Sequence, residues 1–525
     1  MLRCLSSLAT LVLVACADGP ELVEASFEPD APAAVEAPVS PAPAAPVVTS
    51  FVPRADDVGA LGERVDSIVE RWIGEASRRT AGQATARNVH VAVYAIDAER
   101  GTVFAEREAS RSLTPASNLK LATTAAAMVA LGPTGEIVTR FTSTGRVVQS
   151  TLTGDLVVHG AGDPLWHPEG RGGERLDGVL ERLASAGIRR IEGDVVLDTG
   201  TFEPPAAGPE WPSANQHWDD YCALAGAFSV HGGVLRAVVR PRENGRAADV
   251  EVAPWPTGLD ARINVLTKAG ARLRVNVGAT ATRLTVTGEL PPSERPYVAE
   301  FRHPDPIALF ANVLLDRMKR VGIELTGSVL RDSGRPEGRV LAELRSPVRD
   351  LLAPINADSV NGVADQLFFA LGARIAGDGS RAGAARAVGK LLLRLGVSAD
   401  GWNQVDGSGL SRANRVTARQ LAMILVAVLQ RDPETAELYR DSLALAGRRG
   451  TLEGRMRGGP AEGRAWGKTG WIRGVSALSG ITTTTRGRDI VFSILVEYPP
   501  GLGGLNTHVF KPMQDELVEL FVETP

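Results

Sequence analysis

Apolar residues recur along the chain with two different periods. From Leu61 to Arg79 they fall at Leu61, Val65, Ile68, Val69, Trp72 and Ile73, the spacing of an amphipathic helix. From His90 to Asp97 they alternate instead. Val91, Val93 and Ala95 share one face of a strand, and Ala92, Tyr94 and Ile96 the other. A second short strand is predicted over 101–105. After Pro115 a helix is predicted over 118–131, apolar on most sides and therefore buried.

The pattern changes over 137–294. Short strand-like runs dominate there, at 154–160, 191–198 and 283–290, with one helical stretch near 176–186. Helical periodicity returns at 306–321, 363–376 and 417–430. The chain ends in two strands, 475–484 and 489–498, and a helix, 513–522. Strands at both ends and helices between them predict one α/β domain closed by its two termini, built from 57–136 and 295–525, with the β-rich block 137–294 inserted into it.

The first residues carry a separate signal. Met1-Leu2-Arg3 precedes the apolar run Leu8–Ala15, which is too short to span a bilayer stably and reads as a signal peptide over 1–15. Leu13-Val14-Ala15-Cys16 resembles the bacterial lipobox, which implies a lipid on Cys16 and a membrane-anchored protein of the cell envelope or periplasm. Residues 17–53 hold eight prolines, six acidic residues and no Lys or Arg. That composition predicts an extended tether over 16–56 rather than a packed unit. Cys4 leaves with the signal and Cys16 is lipidated on this reading, so Cys222 remains alone, without a disulfide partner. A net charge of −4 offers no basic field for nucleic acid.

Three short motifs carry chemistry. In Ser117-Asn118-Leu119-Lys120 a helical turn brings residues three apart onto one face, so a lysine can serve as base to a serine hydroxyl. Burial of that lysine would favour its neutral form. In Ser359-Val360-Asn361 a hydroxyl and an amide two residues apart can face one side of a cleft. Lys468-Thr469-Gly470 offers a charge and a hydroxyl to a carboxylate, and the glycine admits a close backbone approach. Gly463 to Thr469 looks like a phosphate loop, but it has three residues between its glycines where four are needed, and a strand follows where a helix is needed. The seven histidines form no metal-binding pattern, no nucleophile elbow points to a Ser-His-Asp triad, and no cofactor motif is present.

The order of the motifs is more specific than any one of them. S-x-x-K, then S-x-N, then K-T-G is the signature set of penicillin-binding proteins and serine β-lactamases. The long gap from Ser117 to Ser359 resembles the D-alanyl-D-alanine carboxypeptidase/endopeptidase family, peptidase family S13. Pro115-Ala116-Ser117-Asn118-Leu119-Lys120, Gly154-Asp155-Leu156 through Gly160-Ala161-Gly162-Asp163-Pro164, Asp406-Gly407-Ser408-Gly409-Leu410-Ser411-Arg412 and Gly450-Thr451-Leu452 are each similar to family segments. The resemblance covers most of residues 57–525. It implies a penicillin-binding-protein/β-lactamase-like transpeptidase domain, an antiparallel sheet flanked by helices, interrupted by mostly-β inserts.

The resemblance also implies roles. Ser117 attacks the D-Ala-D-Ala carbonyl of peptidoglycan stem peptides, with Lys120 as base. Ser359 passes a proton to the leaving amine and Asn361 orients the substrate. Lys468, Thr469 and Gly470 receive the terminal carboxylate, and the backbone N–H groups of Ser117 and Trp471 form the oxyanion hole. Arg412 and Asp220 would read the diamino acid of the stem, and β-lactams would acylate Ser117. Two positions depart from the family pattern: Val360 stands where Asp is usual, and Trp471 where Thr or Ser is usual. A β-lactamase-like hydrolase, or a wall-binding homologue impaired by Trp471, remain alternatives at this point.

Overall fold

The computed structural model describes residues 58–524. The signal peptide, Cys16 and nearly all of the tether lie outside the described residues. The framework is a six-stranded sheet in the order Ala444–Leu445, Ala465–Ile472, Val475–Thr483, Asp489–Glu497, His90–Asp97 and Val103–Arg107. Every neighbouring pair is antiparallel. The first long strand pairs with the last, Val93 opposite Ile494, so the two ends of the domain close one sheet.

The alternation along His90–Asp97 decides which layer each residue joins. Val91, Val93 and Ala95 pack with the helix Val58–Arg79 and the terminal helix Lys511–Val522. Ala92, Tyr94 and Ile96 face the opposite core, which contains the helices Lys120–Leu131 and Ala418–Leu429. Both faces of the sheet are covered, which is why its strands are apolar on both sides. Ala418–Leu429 opens with a capping box: Thr417 accepts from the Gln420 N–H and Gln420 accepts from the Thr417 N–H.

Two element boundaries differ from the pattern. The second strand begins at Val103 rather than 101, because Gly101 takes φ 73° in a turn closed onto Asp97. The helix expected from 118 starts at Lys120, preceded by a 3₁₀ turn over Ala116–Leu119.

Four smaller sheets lie between Glu136 and Pro347. The β-rich block expected over 137–294 shares these sheets with later strands. Val329–Asp332 runs parallel to Val195–Asp198, and Arg339–Pro347 pairs antiparallel with Glu136–Ser143. These late strands are sheet edges; Val329–Asp332 is mostly exposed, and Arg339–Pro347 buries only Ala342, Leu344 and Ser346. Pairings over such distances leave no local signal, and the pattern loses the block after the stronger strand Arg283–Leu290. No helix among the described residues is long and apolar enough to cross a membrane.

Candidate active site

Ser117 sits in the 3₁₀ turn Ala116–Leu119, which runs directly into the buried helix Lys120–Leu131. In a 3₁₀ turn residues i and i+3 eclipse, so Ser117 and Lys120 are brought together by a tighter device than the helix assumed from sequence. Ala116, just before the serine, holds φ 46°. Such a left-handed residue costs about 1–3 kcal/mol and persists only where the surroundings over-determine it. Gly409, at φ 83°, supplies part of that constraint: a Cβ there would fall 1.9 Å from the Ala116 carbonyl oxygen. Gly470 closes from the other side, where a Cβ would meet Ser117 N at 3.1 Å and Pro115 O at 3.0 Å. The D-G-S-G loop and the K-T-G strand therefore grip the serine turn backbone to backbone.

Lys120 is fully buried. Its Nζ lies 3.0 Å from Ser117 Oγ, 2.6 Å from Asn361 Oδ1 and 2.7 Å from the Ser408 carbonyl. Burial pulls its pKa down to about 8, against the opposing charges of Asp365 and Asp406. Asp365 itself is held well above the usual carboxylate range, first by burial and then by Asp406. It positions the lysine at one remove. Its Oδ1 accepts from the Gly407 and Ser408 N–H groups, each at 2.8 Å, and Ser408 offers its carbonyl to Lys120.

Asn361 opens the helix Asn361–Leu371 and Ser359 precedes it at φ 67°. Lys468 is also fully buried. Its ammonium donates to the Thr469 carbonyl at 2.9 Å. Burial, then the nearby charge of Lys120, hold its pKa well below the usual lysine value, while Asp358 opposes both. On its outer side the strand Ala465–Ile472 pairs only at Trp466 and Gly467, which leaves the edge from Lys468 onward without a strand partner beside Ser117. Such an edge can accept an extended peptide.

Two cavities open at Ser117. The larger, about 520 Å³, is lined by Asn361, Tyr221, Leu410, Arg412 and Trp211, among others. The smaller, about 330 Å³, reaches Thr451, Thr469, Ser476 and Lys511. Ser117, Ser359 and Trp471 line both. Trp471 is 59% exposed and stands between them.

Seven sequence-predicted residues thus converge on one cleft: Ser117, Lys120, Ser359, Asn361, Thr469, Gly470 and Trp471. Lys468 sits buried on the same strand. Arg412 lines the larger cavity and its guanidinium donates to the Arg473 carbonyl at the end of the K-T-G strand. Asp220 is placed differently. It begins the short turn Asp220–Cys222 and does not line the cavity, whereas its neighbour Tyr221 does. Burial raises the Asp220 pKa, and burial, then the Asp220 charge, raise that of Glu300. Glu210 is the acid among the described residues that line the larger cavity. Cys222 is free and buried, its thiol pushed up to about 12 by burial.

Apart from Asp220, the segment 209–226 was not legible as part of the site. Tyr221 O accepts from Asn361 Nδ2 at 2.8 Å, and Trp211 Nε1 donates to Asp406 Oδ2 at 3.2 Å. Pro209 O accepts from Ser411 Oγ at 2.5 Å, and Gln366 exchanges two bonds with the Gly226 backbone. The inserted block therefore supports the S-x-N segment and the D-G-S-G loop. Asp365, four residues after Asn361, carried no signal beyond being an acid on an apolar helix.

Comparison with known proteins agrees with this geometry. The profile of the D-Ala-D-Ala carboxypeptidase 3 (S13) family matches residues 79–521. The chain is 32% identical over 423 residues to the D-alanyl-D-alanine carboxypeptidase of Actinomadura sp. (strain R39), covering 77% of each protein. It is 28% identical over 418 residues to the D-alanyl-D-alanine carboxypeptidase DacB of Haemophilus influenzae, covering 77% of this chain and 84% of that one. The fold matches the crystal structure of penicillin binding protein 4 from Haemophilus influenzae with a TM-score of 0.70, over 86% of this chain and 98% of that one, at 24% identity. Fold, motif order and sequence agree, and the chain belongs to the D-Ala-D-Ala carboxypeptidase 3 (S13) family.

Proposed function

We propose that this family member cleaves D-Ala-D-Ala bonds of peptidoglycan stem peptides, as a carboxypeptidase, an endopeptidase or both, through an acyl-enzyme on Ser117. The observation that carries this reading is the set of three groups around Lys120. Two of them, Asn361 Oδ1 and the Ser408 carbonyl, can only accept hydrogen bonds. The third is the Ser117 hydroxyl, which can reverse its role. Once Lys120 is neutral its two remaining N–H bonds satisfy the acceptors, and its lone pair faces the serine proton.

The reaction follows from that geometry. Ser117 Oγ bonds to the scissile carbonyl carbon as its proton moves to Lys120 Nζ. The carbonyl oxygen becomes an oxyanion facing the backbone N–H groups of Ser117 and Trp471; one such donor contributes roughly 3 kcal/mol in well-studied cases. The C–N bond breaks and the leaving amine takes a proton by way of the Ser359 hydroxyl. Water then hydrolyses the ester and returns Ser117 to its free form. Lys468 and Thr469 hold the substrate carboxylate. Arg412 and Asp220 together read the stem's diamino acid, Arg412 from the wall of the larger cavity and Asp220 from the adjoining turn Asp220–Cys222.

The leader and tether fit the same reading. Export and a lipid on Cys16 would place the enzyme at a membrane facing the wall, with the proline-rich segment as spacer. Two experiments test the proposal. Penicillin should leave a long-lived adduct on Ser117 by mass spectrometry, and D-Ala release from a pentapeptide should vanish in Ser117→Ala. Rapid recovery of unmodified enzyme from penicillin would instead indicate a β-lactamase, and an unaffected Ser117→Ala variant would sink the assignment. Cys16→Ser should move the protein out of the membrane fraction.

A further inference from the structure

The K-T-G strand poses a problem of carboxylate recognition. Thr469 offers one hydroxyl to the cleft, but the next residue on the same face of the strand, 471, is a tryptophan. Its exposed indole has no hydroxyl to give. A carboxylate next to Thr469 needs further donors, and the strongest are a cation and a hydroxyl in fixed positions.

The smaller cavity supplies both. Its lining includes two cations, Arg455 and Lys511. Arg455 is already engaged: its Nε and Nη2 lie 2.9 and 2.6 Å from Asp515 Oδ1, and Nη2 also donates to the Lys511 carbonyl and to Gln514 Oε1. Ser476 accepts from Gln514 Nε2 at 3.1 Å, which leaves its own O–H free to donate. Lys511, at the start of the terminal helix Lys511–Val522, differs. Among the described residues no carboxylate lies within ion-pair distance of its ammonium; it acts on Asp515 through space, lowering that carboxyl against the effect of burial. Thr451 lies in the short turn Gly450–Leu452, fixed by its own N–H to the Ala357 carbonyl at 3.0 Å. Its hydroxyl makes no hydrogen bond within the described residues. Uncommitted donors on Thr451, Thr469, Ser476 and Lys511 therefore line one cavity that also reaches Ser117.

We infer that this smaller cavity is the receptor for the free carboxylate of the leaving D-amino acid, and that Thr451 and Lys511 hold it there with Thr469. The inference rests on the D-Ala-D-Ala peptidase reading and names the leaving-group subsite within it. Trp471 separates this polar cavity from the larger one, whose Trp211, Pro212, Leu410 and Ile472 suit the acyl half of the substrate. Lys511 adds its charge to that of the buried Lys468, Thr451 and Thr469 supply short hydroxyl bonds, and the tryptophan shields the carboxylate from the wider cleft. The role lost at position 471 is thus met from a different part of the chain.

The test uses the full chain and one acyl-D-Ala-D-Ala tripeptide in two forms, the free acid and the C-terminal amide. The wild-type enzyme should favour the acid at least tenfold in kcat/KM. Lys511→Met and Thr451→Val should each reduce that preference at least fivefold, mainly through a higher KM for the acid. Lys511→Arg should restore it. An acid preference that survives in both Lys511→Met and Thr451→Val overturns the subsite, as does a wild-type enzyme without any acid preference. Thermal melts of each variant separate lost binding from lost folding, and Thr451→Val provides an arm that leaves the terminal helix untouched. A wild-type enzyme that cleaves neither peptide would defeat the peptidase reading itself rather than the subsite.

Discussion

Lys120 allows the mechanism to be tested by pH. Its pKa stands at about 8 against an ordinary lysine value of 10.5, so burial disfavours the ammonium by roughly 3 kcal/mol. The sign is clear: with its pKa lowered, the free base appears earlier as pH rises, and the protonated, inactive form dominates below about 8. At pH 7 about one molecule in ten carries neutral Lys120, and by pH 9 about nine in ten do. Acylation of Ser117 by a fluorescent penicillin at subsaturating concentration should therefore accelerate roughly tenfold from pH 7 to pH 9 and then level off. Lys120→Met removes the base and leaves Asn361 Oδ1 and the Ser408 carbonyl without their shared donor. It should slow acylation by about 10²–10⁴-fold and abolish the pH limb. Lys120→Arg should be equally slow, because a guanidinium does not give up its proton. A wild-type rate that is flat from pH 6 to 9, or a Lys120→Met variant within tenfold of wild type, would refute the reasoning.

Other perturbations probe the scaffold around the serine. Gly409→Ala places a methyl 1.9 Å from the Ala116 carbonyl at φ 83°, and should lower the melting temperature and reduce acylation by at least 100-fold; a variant that melts and acylates normally would contradict the grip on the turn. Trp211→Phe removes one of the four bonds that satisfy Asp406. It should cost about 1 kcal/mol of stability by denaturant titration while acylation stays within tenfold. Trp471→Thr joins the two cavities, so kcat/KM for peptides ending in a D-residue larger than alanine should rise severalfold relative to the D-Ala-D-Ala peptide, as measured by product chromatography.

The sequence located the candidate site more fully than the scaffold, for a physical reason. Ser117 and Lys120 are three residues apart, and Lys468 and Thr469 adjoin, so short-range geometry fixes each pair and short-range pattern finds it. The strand His90–Asp97 was equally legible, because burial on both faces imposes its alternation. The limit of the inserted block was not. Arg339–Pro347 joins a sheet begun at Glu136 some 200 residues earlier, and a pairing over that distance leaves no local signal of which block the strand belongs to. Lys511 was invisible for the same reason: its partners in the cleft, Thr451 and Thr469, lie on other segments. Asp220 is the converse case: the resemblance pointed to an acid in a stretch that does reach the cavity, through Tyr221 rather than Asp220 itself.

The inserted block is bound into the site rather than appended to it. Asn361 shares its carbonyl oxygen with Lys120 and donates its amide N–H to Tyr221, so one side chain links the base to the insert. Removing the Tyr221 carbonyl would leave Asn361 Nδ2 without that partner and free the amide to turn away from Lys120. The Gln366–Gly226 exchange and the Trp211–Asp406 bond anchor the same segment to the two loops that frame Lys120. Buried groups of this kind are costly to leave unpaired, about 1–3 kcal/mol each. The geometry that tunes Lys120 is therefore stable only when the insert is docked. A peptidase core cut free of its β-rich block should lose its base geometry even though every residue of the S-x-x-K, S-x-N and K-T-G motifs is still present.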